Sequence, residues 1–174
     1  MIALYIIVGL IALILLIAAL VGTAWNFEKS VSIHASLEKV WTNINSLKVL
    51  NKWNPWIAKD PNIKIEYTGT DGTPGASYSW VSAEKNVGEG RQTILKVTDK
   101  TELLLRVDFI KPFAGTGNAF MRIEPEGGTT KATWRIESST PYPMNFIKIF
   151  GLIEKNMDKD FSAGLNKLKE ICEQ

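Results

Sequence analysis

The sequence predicts an α+β domain, an antiparallel strand meander closed by a long C-terminal helix, with one transmembrane helix ahead of it. Three observations predict it. A charge-free apolar run occupies Ile2 to Ala24. Short segments of alternating apolar and polar residues then follow at regular spacing, separated by turn residues, which is the pattern of a meander. Finally, apolar residues recur at three- and four-residue spacing from Met144 to Cys172, the stripe of an amphipathic helix.

The apolar run holds no Pro and is mostly Leu, Ile, Ala and Val. As a helix of ~1.5 Å rise per residue it would span about 34 Å, enough for a hydrocarbon core of ~30 Å. Each central Leu or Ile favours insertion by roughly 0.3–0.6 kcal/mol, so the run as a whole favours it by several kcal/mol. Trp25 and Phe27 follow directly, and Trp25 suits a headgroup interface. Residues 1–25 are therefore read as a transmembrane anchor and 26–174 as the domain. A cleaved signal peptide competes, since Gly22-Thr23-Ala24 resembles a small-residue cleavage site. Against it, no Lys or Arg precedes the run, and the run exceeds a signal's apolar region of roughly 7–15 residues. A buried core helix is the other competitor, and it would need protein on every side. Lys29, Lys39, Lys48 and Lys52 after the run favour a cytoplasmic domain by the positive-inside rule, although a folded domain can cross regardless of such charges.

Phe27 to His34 alternates Phe27, Lys29, Val31 and Ile33 against polar partners and reads as a half-buried strand. Ser36 is placed to cap a short helix carrying Val40, Trp41 and Ile44, with Glu38 in its first turn. Ser46 to Ile57 reads as a second short helix ending in a turn, because Asn54 before Pro55 is biased out of the helical region. Strands are expected at Ile63–Tyr67, Ala76–Ser82, Val87–Thr98, Thr101–Ile110, Gly115–Glu124 and Thr130–Glu137. Asp71 to Gly75 supplies a turn, Asp99-Lys100 a hairpin lacking the usual Gly, and Pro125 to Gly128 another hairpin. Phe150, Ile153, Met157, Phe161, Leu165, Leu168 and Cys172 form the stripe of the last helix. Gly151 and Gly164 each cost about 1 kcal/mol in a helix interior. That cost is consistent with a local bend or a close approach to the sheet.

Composition excludes several functions. Twenty Lys and Arg against eighteen Asp and Glu give a net charge of +2. That is too balanced for nucleic acid, which calls for a clustered cationic footprint. A single Cys, Cys172, forbids an internal disulfide. With one His, His34, a closed zinc site of about four N or S ligands cannot form. No cofactor is implied.

The chain after the anchor resembles the START/Bet v1-like helix-grip superfamily (SRPBCC), in its polyketide cyclase/dehydrase-like branch. The resemblance runs through SVSIHASLEKVW, LNKWNPW, GASYSW, VGEGR, FIKPF, RIEPEGGTTKATW, TPYPMNFIKIF and KDFSAGLNKLKE, and lies in their order and spacing. One departure stands at His34-Ala35-Ser36-Leu37, where the family usually has a small polar residue and one or two prolines. The resemblance implies a curved antiparallel sheet around the C-terminal helix, two short helices closing one end, and often an apolar cavity between sheet and helix.

Tyr78, Trp80, Leu105, Val107, Phe109, Met121, Trp134 and Ile136 alternate onto one face of their strands, with Phe150, Met157 and Phe161 facing them from the helix. They are either the wall of a ligand cavity or ordinary core. Tyr78 and Trp80 stand out because each brings a polar handle to an apolar wall. Trp53 and Trp56 flank Asn54-Pro55 near the expected cavity mouth, where they would gate access, touch a bilayer, or plug the small helices onto the sheet. His34 has no Ser, Cys or carboxylate at a spacing that identifies a catalytic partner and reads as a strand-end residue. Arg106, Asp108, Arg122, Arg135 and Glu137 alternate outward and read as a solvated face with cross-strand charge pairs. Gly88-Glu89-Gly90-Arg91 lacks the features of a phosphate loop and reads as a bulge or strand entry. The leading functional expectation is a membrane-tethered binding protein for a hydrophobic small molecule or lipid. A cyclase, dehydratase or hydrolase would need a convergent acid or base in the cavity, and a non-catalytic interaction domain would need an exposed apolar patch.

Overall fold

The computed structural model describes residues 1–174. Helix α1 (Ile2–Leu20) leads into strand β1 (Ala24–Ile33) and the short helices α2 (Leu37–Trp41) and α3 (Leu47–Leu50). Six strands follow: β2 (Lys64–Thr68), β3 (Ser77–Val81), β4 (Glu89–Thr98), β5 (Glu102–Lys111), β6 (Gly115–Glu126) and β7 (Thr129–Ser139). A 3-10 helix (Met144–Phe150) and helix α4 (Leu152–Glu173) close the chain. The seven strands form one antiparallel sheet in the order β1-β7-β6-β5-β4-β3-β2, the expected helix-grip arrangement.

Helix α1 is shorter than the apolar run. It stops at Leu20, the backbone turns extended at Val21, and Trp25 belongs to β1. Nineteen residues at ~1.5 Å each make about 28 Å. Only Ala18 is buried, so α1 is no core helix.

The strands follow the period-two pattern. In β1, Trp25, Phe27, Lys29 and Val31 are half-buried and every intervening residue is exposed. The β6–β7 hairpin turns at Gly127-Gly128 alone, both at positive φ, as the favoured two-residue turn requires. Both strands consequently extend further than the turn residues suggested, with Glu126 opposite Thr129. The β4–β5 turn has three residues, and Lys100 takes the left-handed position (φ 51°) that glycine would ordinarily fill.

The short helices are held from outside. Ser36 Oγ accepts the Lys39 N–H at 3.3 Å, while Asp71 accepts the first N–H groups of α3, from Leu47 at 2.8 Å and Lys48 at 3.1 Å. The expected second helix is only the single turn of α3 plus a separate 3-10 helix at Ile57–Lys59. Between them Asn54 Oδ1 takes the Trp56 N–H at 3.0 Å, leaving the helical path at Asn54-Pro55.

The last helix is not continuous either. Gly151 sits at φ 61°, ψ 19°, ending the 3-10 helix and starting α4 on a new axis. Ile153, Met157, Phe161, Leu165, Leu168 and Cys172 keep the stripe, but Phe150 falls outside it. α4 packs on β1 and β7. Phe161 is fully buried and stacks on Trp134 with ring centroids 4.2 Å apart, and Phe27, Trp53 and Trp56 add edge-on contacts. Gly164 makes the approach possible: a Cβ there would lie 2.8 Å from Trp134 and 3.1 Å from Pro55. The outer face is solvated as expected, but Arg106–Asp108 and Arg135–Glu137 pair along their own strands, not across them. Such exposed pairs are worth ~1 kcal/mol or less.

Gly164→Ala therefore opposes two effects, a helix-propensity gain of about 1 kcal/mol and an overpacking cost of roughly 1–3 kcal/mol. The rings and Pro55 are hemmed in, so the clash wins. Thermal unfolding of the variant is expected to fall by several degrees, and an unchanged or raised midpoint would show the contact to be loose.

Candidate functional site

Because α4 covers β1 and β7, and α2 packs on β6 and β7, the inner face of β3–β5 has no helix directly on it. A cavity of about 410 Å³ lies there, and 19 of its 25 lining residues are hydrophobic. Tyr78 and Trp80 on β3, Leu105, Val107 and Phe109 on β5, Met121 on β6, and Trp134 and Ile136 on β7 all reach its wall. Met157 and Phe161 reach it from α4. Phe150 does not: the break at Gly151 turns it outward, 62% exposed, against Phe146.

Trp53 and Trp56 also line the cavity, yet Trp53 is not at a mouth. It is 4% exposed, donates Nε1–H to the Asn43 carbonyl at 2.9 Å, and meets Trp134 edge-on. With Trp56 it forms the side wall between α4 and the sheet. The exposed lining residues mark the mouth: Asn86 in the β3–β4 loop, Phe109 and Lys111 at the end of β5, Pro112 and Phe113 in the β5–β6 connection, and Asn156 on α4.

Trp25, Asn54, Gln92 and Ile153 were not anticipated on the wall. Trp25 heads the inward row of β1, and its buried Nε1–H has no partner. Gln92 stands in register with Tyr78 and Val107, so period two along β4 points it inward. The Gly88–Arg91 stretch is a bulge, with a register shift at Glu89/Gly90. A Cβ on Gly90 would fall 2.4 Å from the Trp80 ring, so the glycine is what lets that ring lie over β4.

The wall is electrically quiet. Its ionisable side chains are Tyr78 and Lys111, and Lys111 sits at the mouth paired with Glu89 at 2.7 Å. Burial, reinforced by neighbouring Tyr67, pushes the Tyr78 hydroxyl far above the usual phenol range, so it stays protonated. Its oxygen accepts from Asn54 Nδ2 at 3.4 Å, and Asn51 Nδ2 donates to Tyr67 Oη at 3.0 Å beside it. Trp80 has no free handle, because its Nε1–H is already given to the Val87 carbonyl at 3.2 Å. The polar capacity of the cavity thus rests on neutral groups, Trp25, Tyr78, Asn54 and Gln92.

His34 lies at the opposite end of the sheet, its side chain 75% exposed. Its backbone N–H and its Nδ1 meet Glu173 Oε1 at 2.7 and 3.2 Å. The backbone N–H is the main cause of a lowered Glu173 pKa. No group of three or more His, Cys, Asp or Glu stands together as a metal site would require.

Residues 24–173 match the sequence profile of the polyketide cyclase / dehydrase and lipid transport family. No curated protein matches the chain. Among solved structures, truncated norcoclaurine synthase from Thalictrum flavum superposes with a TM-score of 0.66 at 15% identity, over 87% of this chain and 94% of that one. The di-domain ARO/CYC StfQ from the steffimycin biosynthetic pathway gives 0.65 at 8% identity, over 87% of this chain and 51% of that one. A protein from Thermobifida fusca gives 0.61 at 19% identity, over 83% and 91%. At such identities the likeness establishes the fold alone.

With Tyr78 held neutral and His34 outside, binding of an apolar fluorescent probe is expected to stay constant from about pH 6 to 9. Tyr78→Phe should weaken a probe bearing a carbonyl by roughly 3- to 10-fold, one hydrogen bond's worth, and leave a pure hydrocarbon probe unchanged. Equal effects on both probes would remove Tyr78 as a polar anchor.

Proposed function

The chain belongs to the polyketide cyclase / dehydrase and lipid transport family, and on that footing we propose that it is a membrane-tethered binding protein for a hydrophobic small molecule or lipid. The observation that carries this reading is the cavity itself. A void of about 410 Å³ walled mainly by apolar side chains is of the size and character of a small-molecule site. The buried guest is neutral, since no carboxylate or imidazole lines the wall and the one lining ammonium stays at the mouth. It carries few polar atoms, at most a hydroxyl or carbonyl to meet Trp25, Tyr78, Asn54 or Gln92.

The tether is the second half of the reading. A charge-free helix of nineteen residues with only Ala18 buried is suited to lipid. Asn145 Nδ2 donates to the carbonyls of Ala18 and Val21, so cleavage after Ala24 would strip a buried amide of both partners. That favours a retained anchor over a removed leader. Proton-transfer catalysis finds less support, because no acid or base with a perturbed pKa near neutrality converges in the cavity.

Full-length protein purified from membranes, analysed by native mass spectrometry and solvent extraction, is expected to carry a neutral hydrophobic molecule at near one equivalent. Ala119→Phe, which fills the cavity from β6, should abolish that mass and weaken an apolar probe by at least about 10-fold. Phe150→Ala should change neither in detergent. Ligand-free wild type, together with undiminished probe binding in Ala119→Phe, would defeat the reading.

A further inference from the structure

The end of the domain at which the cavity opens is also the end at which α1 joins it. Strand register fixes this: Ala24 lies opposite Ser139, Ser138 opposite Gly117, Gly115 opposite Phe109, and Lys111 opposite Glu89. The start of β1, the exit of β7 into the 3-10 helix, and the Phe113 loop therefore share one edge. On that edge stand large apolar side chains the core does not use. Phe113 is 77% exposed, and Tyr142, Met144, Ile149, Phe150 and Leu152 are exposed too. Large apolar side chains exposed together at one edge mark a contact site.

The end of α1 is fixed to this edge, not left on a loose linker. Asn145, 1% exposed, donates to Ala18 O at 2.7 Å and Val21 O at 2.6 Å. Lys148 Nζ donates to Gly22 O at 2.6 Å and also to Ala24 O. Asn145 thereby satisfies carbonyls that the C-terminus of α1 leaves without partners, and Lys148 holds the segment that leads from α1 into β1. Ala18 is within the helix, so the 3-10 helix sits level with the last turn of α1. If α1 spans a bilayer, that level is the boundary between hydrocarbon and headgroups. Charge at this edge is close to balanced: Lys85, Lys111 and Lys155 are matched by Glu84, Glu89 and Glu154, and the remaining cation, Lys148, is engaged by the Gly22 and Ala24 carbonyls. The surface therefore suits apolar lipid more than acidic headgroups.

We propose that this edge is inserted into the interfacial layer of the bilayer that α1 spans, so that the cavity mouth opens onto lipid and a guest passes between membrane and cavity without crossing water. The inference rests on the tethered-carrier reading above. It adds an orientation, with Phe113 and Phe150 in contact with lipid and the β4–β5 turn facing water.

The test is site-directed spin labelling of the full chain in phosphatidylcholine vesicles. Labels go at Phe113→Cys and Phe150→Cys, with Asp99→Cys in the far turn as reference; the native Cys172 is buried. Collision rates with lipid-soluble oxygen and a water-soluble nickel chelate are compared. At positions 113 and 150 the oxygen-to-nickel ratio is expected to exceed that at position 99 by roughly 10-fold, as for side chains ~5–10 Å below the headgroups. Water-like ratios at 113 and 150 in a chain that resists alkaline extraction overturn the docking and leave the tether. Dilution-sensitive broadening between labels at 113 or 150 assigns the surface to a second copy and likewise overturns it. A chain released by alkali overturns both readings.

Discussion

The architecture depends on one contact: the Phe161 ring lying flat on Trp134, with Gly164 one turn further along α4 allowing the helix to come that close. Stacked and edge-on aromatic pairs add about 0.5–1.5 kcal/mol each beyond the area they bury. Here five aromatic residues, Phe27, Trp53, Trp56, Trp134 and Phe161, converge on that spot. They pin α4 to the β1–β7 side of the sheet and seal the wall between helix and short helices. Every other inward-facing row is left to find its own partner.

That asymmetry accounts for the cavity. A single helix fixed over one half of a wide sheet cannot reach the rows carried by β3, β4 and β5. Tyr78, Trp80, Gln92, Val107 and Phe109 face a space that no other element fills. The space persists because its walls are rigid aromatics whose own polar atoms are mostly satisfied, as with Trp80 on the Val87 carbonyl and Trp53 on the Asn43 carbonyl. Its lack of charge follows from the same burial, since an unpaired ion there would be costly.

Much of this was legible in the sequence, because the signals were periodic. Period two along the strands identified the inward rows of β3, β5, β6 and β7, and the three- and four-residue stripe identified the face of α4. The failures share a different cause. Phe150 fits the stripe by counting, but Gly151 adopts a left-handed backbone that counting cannot see, and the axis changes there. Trp25 was read as a headgroup-interface residue following the apolar run, whereas α1 stops at Leu20 and strand geometry then governs its direction. Trp53 was placed near the mouth and also offered as a plug joining the short helices to the sheet; its burial against Trp134 agrees with the plug, and no local signal reveals that the Asn54-Pro55 turn folds under α4. The left-handed Lys100 and the along-strand ion pairs of the outer face are likewise tertiary choices.

The same edge gathers the mouth, the exposed apolar side chains and the end of α1, so on the proposed reading one structural feature would link retention of a greasy guest with access to its source. The most direct measurement is the electron density inside the cavity in crystals of full-length protein purified from membranes. The account predicts an elongated, continuous feature running from Tyr78 toward Phe113, with α4 seated on Trp134 as described. A cavity closed by inward rotation of Trp80 and Phe109, or one holding only ordered water, would contradict it.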